Sequence, residues 1–191
     1  MIFTFGVFAG LHPKGVAFWY ERAVSHPSRL WLAAEAPWEV FGPVATGDAI
    51  PDELGDRMIE TAVPIGKPER LKVGWNKAEM VRGFLDLSHH YRLYITTSEG
   101  SGFIAGKCRL KAVTFIHSPR EVKLEALVGH DDALKVSVND APSISLPERV
   151  GFQPSRIKLQ LRSGWNKLAL VLDNDENVDW RWLGFLAGFP R

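Results

Sequence analysis

Apolar and polar residues alternate in two neighbouring segments of the chain. In residues 122–128 every second position is valine, leucine or alanine, and the same spacing recurs in residues 134–138. Because successive side chains of a strand point to opposite faces of a sheet, this spacing predicts two strands with one buried face each. An Asn-Asp pair at residues 139–140 follows the second segment and predicts a tight turn.

Short runs of the same kind recur along the chain, separated by glycine, proline and asparagine. The predicted strands cover residues 2–8, 16–20, 38–43, 83–87, 91–97, 107–116, 121–128, 134–138, 156–161, 168–172 and 180–189. Several short strands at this spacing predict an all-β sandwich or barrel. Residues 51–58 predict one helical turn, with Pro51 or Asp52 near its start.

Size and charge narrow the class of protein. The chain has 191 residues, of which 46% are hydrophobic and 24% charged, as expected of one globular domain, or of one domain with an extension. Lys and Arg number 23 against 22 Asp and Glu, so no general attraction to nucleic acid or an anionic membrane is expected. No apolar run approaches the roughly 20 residues of a membrane span. Residues 1–10 lack the basic start of a signal peptide and predict a strand instead.

The cysteine and the histidines argue against a disulfide and a zinc site, whereas the tryptophans suggest a ligand-binding surface. Cys108 is the single cysteine, so it has no partner for an internal disulfide and is predicted to be a buried thiol. The six histidines show no zinc-binding spacing. The seven tryptophans are unusual, because an excess of large planar rings often reflects a surface for flat or amphipathic ligands.

The tetrapeptide Gly-Trp-Asn-Lys occurs twice, at residues 74–77 and 164–167, each time before an apolar segment. The repeat predicts a recurrent turn with a tryptophan lid over the core. Trp38, Trp75 and Trp165 each stand beside a strand start, and a core position is predicted for one of them.

Six short motifs occur in order over most of the chain. They are Trp-x-x-x-Gly-Pro at 38–43, Gly-x-x-Asp-Leu at 83–87, a Ser-Pro junction at 117–122, an Asp-Asp hairpin at 129–140, Gly-Trp-Asn-x-Leu at 164–168 and a strand with Trp, Gly and Phe at 180–185. This ordered set resembles the galactose-binding-like jelly-roll modules appended to bacterial glycoside hydrolases and other carbohydrate-active proteins. Ala133 and Asp140 depart from the pattern, because that family has glycine at both positions.

The resemblance implies a fold and a domain organisation. Residues 36–191 are expected to form the jelly-roll β-sandwich. Residues 1–35 are expected to be an N-terminal β extension, made of strands remaining from a preceding jelly roll and a linker. The family further implies an extracellular or periplasmic location.

The resemblance also implies a function, that of a non-catalytic module that binds glycan or a small sugar and holds a catalytic partner or a cell near it. Neither nucleic acid nor a membrane span is expected as a partner. One alternative is a structural domain that packs on a neighbouring domain or a second copy. Another is a glycoside hydrolase, which requires two carboxylates facing each other across a cleft.

Loop carboxylates, amides and paired tryptophans are the candidate ligand-binding groups. Asp131 and Asp132 resemble the Asp-Asp pair with which lectin domains similar to anthrax protective antigen hold Ca²⁺, but adjacent aspartates also cap turns. Asn139 lies in the hairpin turn beyond them. Trp180 and Trp182 alternate on one predicted strand and therefore share a face, which is either a core face or a stacking surface for sugar rings.

A second acidic loop has the oxygen spacing of a calcium site. Its candidate ligands are Asp173, Asp175, Asn177 and Asp179. Val178 stands where an EF-hand has glycine, and no flanking helices are predicted, so a solvated hairpin tip is the alternative. Calcium is the single cofactor that these patterns suggest.

Overall fold

A computed structural model describes residues 30–32, 38–61, 71–78, 84–86, 108–130, 133–139, 141–147, 153–174 and 184–190. These residues form strands and connecting loops, with no helix among them. The described strands in chain order are β1 (Leu30–Leu32), β2 (Trp38–Ala45), β3 (Ile59–Thr61), β4 (Leu71–Val73), β5 (Trp75–Ala78), β6 (Phe84–Asp86), β7 (Cys108–Ser118), β8 (Val122–His130), β9 (Ala133–Val138), β10 (Ile144–Leu146), β11 (Gln153–Leu161), β12 (Gly164–Asn174) and β13 (Gly184–Pro190).

The strands pair into two large antiparallel sheets and one small one. A six-stranded sheet has the order β10-β9-β12-β7-β2-β5. A five-stranded sheet has the order β1-β13-β8-β11, with β6 also paired to β13. Strands β3 and β4 form a separate pair. The chain passes between the two large sheets at nearly every step from β7 to β13, which is typical of a jelly roll and not of an up-and-down meander.

The core lies between the two large sheets. Ala126 of β8 and Ile157 of β11 face inward from the five-stranded sheet, and Leu134 and Leu170 face inward from the six-stranded sheet. Trp38 and Cys108 are also fully buried, which confirms the predicted buried thiol. The predicted all-β sandwich of jelly-roll type is therefore confirmed.

Most strand predictions on described residues are confirmed, with ends that differ by a few residues. Five short strands, β1, β3, β4, β5 and β10, were not predicted, because three or four residues are too few to show a period. The predicted strands at residues 2–8, 16–20 and 91–97 lie outside the described residues. Strand β1, within the predicted extension 1–35, pairs with β13, and the domain boundary stays a prediction.

The predicted helical turn at residues 51–58 is wrong. This segment has bends and no helical hydrogen bonds. Its carbonyl groups bond to side chains of the six-stranded sheet instead: Lys111 donates to the oxygen of Pro51, Lys167 to that of Asp52 and Trp75 to that of Glu53. Tertiary anchors of this kind replace the local hydrogen bonds that a helix needs.

Gly42 lies so close to the neighbouring strand that a side chain at this position would clash with it. Its φ is +115°, and a Cβ built there would lie 2.9 Å from the carbonyl oxygen of Arg109 on the neighbouring strand. We expect Gly42→Ala to lower the free energy of unfolding by about 3 kcal/mol, because strain and a backbone clash combine. Gly47→Ala is the matched control, since a Cβ there meets nothing within 4 Å. Equal urea midpoints for the two variants would contradict this account.

Candidate functional site

The outer face of the six-stranded sheet carries several aromatic and charged side chains. On β12, Leu168, Leu170 and Leu172 belong to the core. Because side chains alternate along a strand, Trp165 and Lys167 point away from the core. The register of β12 with β7 then fixes which residues of β7 share this outer face.

Three aromatic side chains form an exposed cluster on this face, which we call the aromatic platform: Phe115, His117 and Trp165. Trp165 lies directly opposite His117, and Phe115 lies two residues from His117 on the same side of β7. The side chain of Trp165 is 64% exposed and that of Phe115 is 44% exposed. The rings of His117 and Trp165 meet edge to face, with centroids 5.2 Å apart and planes at 71°. The platform is therefore an exposed indole with an imidazole standing at its side.

The platform lies near one end of the sheet, where β7 and β12 run on as a two-stranded ribbon. Pairing of β2 with β7 ends at Val113 in the described residues, and pairing of β9 with β12 ends at Leu168. The pairing between β7 and β12 continues beyond these points to Ser118 and Gly164. Among the described strands, the ribbon tip therefore carries His117 and Trp165 beyond the last paired residues of β2 and β9.

Asn166 holds the ribbon tip together. It is fully buried, and its side-chain oxygen accepts hydrogen bonds from the amide of Arg162 at 2.9 Å and from Asn139 Nδ2 at 3.0 Å. Its Nδ2 donates to the carbonyls of Arg162 at 2.9 Å and Gly164 at 3.0 Å, and more weakly to that of Ile116 at 3.5 Å. This network fixes the backbone on both sides of Trp165, so the indole stands on a rigid base.

A covering segment, residues 46–58, crosses the same outer face, and we call it the strap. Lys111 Nζ donates to the Asp52 carboxylate at 2.6 Å, and Lys167 Nζ donates to the Asp52 carbonyl at 2.8 Å. Val113 and Ala169 lie between these anchors on the sheet and are buried. The strap therefore covers the centre of the sheet, and its midpoint at Asp52 lies beside the platform.

Asp52 is the strap carboxylate that forms an ion pair with the sheet, through Lys111. Its side chain is 93% exposed, whereas that of Lys111 is nearly buried. The hydrogen bond and the positive charge of Lys111 lower the pKa of Asp52 below its usual value, with a smaller contribution from Lys167. Asp52 therefore carries a full negative charge at neutral pH.

The first Gly-Trp-Asn-Lys copy has a different environment from the second. Asn76 Nδ2 donates to the Gly74 carbonyl at 3.1 Å, as Asn166 does to Gly164. Trp75, however, packs edge to face on Phe41 with ring centroids 5.3 Å apart, and its Nε1 donates to the Glu53 carbonyl of the strap at 3.0 Å. The predicted tryptophan lid thus describes half-buried Trp75 but is wrong for Trp165.

Asn139, a predicted sugar ligand, lies at the platform end of the sheet. Its φ of +54° confirms the predicted turn. Its side-chain oxygen accepts from the amide of Lys167 at 3.0 Å, and its Nδ2 donates to Asn166. These bonds tie the hairpin to the ribbon, and a role in sugar binding stays a prediction.

Asp173, a predicted calcium ligand, lies on the outer face at the opposite end of β12. Arg109 forms a bidentate ion pair with its carboxylate, through Nε to Oδ1 and through Nη2 to Oδ2 at 3.1 Å. Lys135 Nζ lies 3.7 Å from Oδ2, and the Asp173 side chain is 8% exposed. These cations already neutralise the carboxylate, so Asp173 would have to leave Arg109 to bind calcium.

The remaining predicted ligands lie outside the described residues: Asp131, Asp132, Asp175, Asn177, Asp179, Trp180 and Trp182. Their places in a site stay predictions. The described neighbours of the Asp131–Asp132 pair are His130 and Ala133, and Ala133 pairs with Asp173. Strand β9 spans six residues, about 20 Å, between Ala133 and the Asn139 turn. Asn139 and the flanks of the aspartate pair thus lie at opposite ends of the sandwich.

Among the residues that the structure describes, no three His, Cys, Asp or Glu side chains are grouped as metal ligands would be. The same part of the chain has no helix that is long and apolar enough to cross a membrane.

No family model and no curated protein matches the sequence. Solved structures that resemble the fold include a β-glucosidase from Kluyveromyces marxianus, with a TM-score of 0.48 and 10% identity over 81% of this chain and 17% of that one. The GH26-CBM35 β-(1,4)-mannanase of Podospora anserina has a TM-score of 0.32 and 14% identity over 51% of this chain and 24% of its own.

The CBM35 of Cellvibrio japonicus Abf62 has a TM-score of 0.31 and 14% identity, over 49% of this chain and 80% of its own. The chain thus spans a quarter or less of the mannanase and glucosidase chains and most of the isolated module. At these identities and scores the likeness carries no information about ligands. The fold rests on the strand pairing described above.

Proposed function

We propose that this protein is a non-catalytic carbohydrate-binding module that acts with a glycan-active protein. The observation that carries the proposal is the exposed indole of Trp165, which is 64% accessible on a strand fixed by the Asn166 network. Together with exposed Phe115 and the neighbouring His117, this ring forms an exposed aromatic patch of the kind that often binds a ligand. A sugar presents a flat face of C–H groups, which packs on an indole while its hydroxyls reach polar neighbours.

His117 supports a sugar over a purely apolar ligand. Its imidazole stands at 71° to the indole plane and carries a donor or an acceptor at each ring nitrogen. A sugar ring lying on Trp165 would therefore meet a hydrogen-bonding edge at its side. The site is shallow, so we expect modest affinity, because little area is buried and many hydroxyls lose water.

The predicted loop ligands remain part of the proposal as a second, calcium-dependent site. Asp131, Asp132, Trp180 and Trp182 would contact the sugar there, with Asp175, Asn177 and Asp179 as metal ligands. The chemistry of carboxylate and amide oxygens suits Ca²⁺. Dependence of binding on calcium would separate this site from the aromatic platform, which contains no carboxylate.

A retention screen tests the proposed function. The protein is run through native gels containing soluble galactomannan, mixed-linkage β-glucan, arabinoxylan or pectin, in Ca²⁺ and in EDTA. We expect at least one polysaccharide to retard the wild-type protein. Retardation by none of them in either condition would contradict glycan binding, and release of reducing sugar would contradict a non-catalytic role.

The exposed apolar side chains favour a second candidate function, packing on another domain or copy. Met58 of the strap is 57% exposed and Phe115 is 44% exposed, so both offer contact area to a protein surface. Sedimentation velocity separates the two functions. Concentration-dependent dimerisation that Phe115→Ser abolishes, together with no glycan retention, would favour the packing role.

A further inference from the structure

The side chain of Lys167 lies between the strap and the aromatic platform. It lies directly opposite Phe115 and two residues from Trp165 on the same face of β12. Its stem therefore borders the rings, whereas its ammonium is held by the Asp52 carbonyl at 2.8 Å. A ligand on the platform would meet this ammonium at the side that faces Asp52 of the strap.

Groups at this border can bind sugar hydroxyls. An ammonium has three donors, and the bond to Asp52 uses one of them. The Asp52 carboxylate accepts from Lys111 at Oδ1, and the side chain is 93% exposed. Its second oxygen thus lies in an accessible group of full negative charge, which is a strong acceptor for hydroxyls.

The position of these groups depends on the docking of the strap. Lys111 is nearly buried on the sheet, and a buried ammonium without a carboxylate partner is costly. The pair with Asp52 therefore favours the docked strap, and the same residue fixes Lys167 through its carbonyl. Docking and the orientation of Lys167 are coupled through Asp52.

From this geometry we infer that the strap is one wall of the glycan site, and that Asp52 and Lys111 are positioning residues that set the affinity of the aromatic platform. The inference rests on the proposed function, because it concerns the same ligand. A sugar on Trp165 would gain donors and an acceptor from the docked strap. An undocked strap would leave the indole as a stacking surface with His117 alone.

Two variants that weaken the Asp52–Lys111 ion pair test this inference, and a third variant on the strap is the control. Asp52→Asn removes the charge, and Lys111→Met replaces the buried ammonium with an apolar chain of similar length. Glu53→Gln removes a neighbouring exposed charge whose side chain holds no strap anchor. Acetylation of Lys167 by acetic anhydride, measured by mass spectrometry relative to exposed Lys77, reports docking without any ligand. Gel retardation by the polysaccharide that the wild type binds best reports affinity.

We expect Asp52→Asn and Lys111→Met to accelerate Lys167 acetylation and to weaken polysaccharide binding about fivefold, as the loss of roughly one hydrogen bond would do. Glu53→Gln should change neither. Faster acetylation with unchanged affinity would overturn the inference and leave the proposed function standing. Unchanged acetylation in both variants would also overturn it. If the wild type binds no polysaccharide, the proposed function itself fails.

Discussion

Trp165→Ala is expected to abolish retention of this protein by glycans while leaving its fold intact. An indole that covers a ligand at the centre of a small site commonly contributes about 2 kcal/mol or more, which is about 30-fold in affinity. Because we expect the wild-type affinity to be modest, such a loss would remove visible retardation in native gels. The free energy of unfolding should change by less than about 1 kcal/mol, since the side chain is mostly exposed.

Trp75→Ala is the matched control, because Trp75 occupies the same position in the other copy of the tetrapeptide. Trp75 packs on Phe41 and donates to the strap, so its removal should cost about 2 kcal/mol of stability. Stability is measured by urea unfolding of both variants. If folded Trp165→Ala retains wild-type retardation, the platform is not the glycan site, and if the variant unfolds, the expected small effect on stability is wrong. Trp165→Phe should keep part of the affinity, because it keeps a ring.

Asn166→Ala should be among the most destabilising single changes in the described part of the chain, at about 3–4 kcal/mol. The side chain bridges Arg162, Gly164 and Asn139 from a fully buried position. Removing it leaves buried backbone groups without partners and unties the β9 turn from the ribbon. Urea unfolding followed by far-ultraviolet circular dichroism measures the loss.

Asn76→Ala serves as the comparison, since Asn76 makes the same bond to the glycine two residues before it but is only half-buried. We expect a loss of about 1 kcal/mol there. Equal losses at the two positions would contradict the larger contribution expected of the buried Asn166 network. If folded Asn166→Ala binds glycan weakly, glycan binding at the platform depends on the rigidity of the ribbon.

The fold could be predicted from the sequence more completely than the candidate site. Strands such as β8 and β11 have one face on the core and one in water, so their alternation is visible and their prediction is confirmed. In β7 the residues from Leu110 to Thr114 are all buried, because the strap covers the face that would otherwise meet water. A strand covered on both faces loses its alternation, and its two faces cannot be told apart in the sequence.

The strap also explains why the sequence does not reveal the exposed tryptophan. Both Gly-Trp-Asn-Lys copies form the same local bond and point their indoles to the same outer face of the sheet. Only tertiary placement separates them, since residues 46–58 reach Trp75 and stop short of Trp165. The pattern of that segment predicts a helical turn, so no local signal could show which indole would remain in solvent.

Asn139 and Asp173 show a related limit. Both have side chains suited to binding ligands, and both sit in loops or strand ends where such residues often act. In the structure Asn139 secures a turn and Asp173 pairs with Arg109. Sequence gives the chemical type of a side chain, but the partner that satisfies it comes from a strand distant in the chain.

Under the proposed function, the narrow ribbon that carries Phe115, His117 and Trp165 limits the kind of glycan that can bind. Crystalline cellulose or chitin calls for a broad planar row of rings, wide enough to span several parallel chains. Among the described residues the platform lies on two strands, a width that suits one flexible, hydrated polysaccharide chain at a time. If the proposed function holds, we therefore expect binding to soluble matrix and storage polysaccharides and none to crystalline cellulose or chitin.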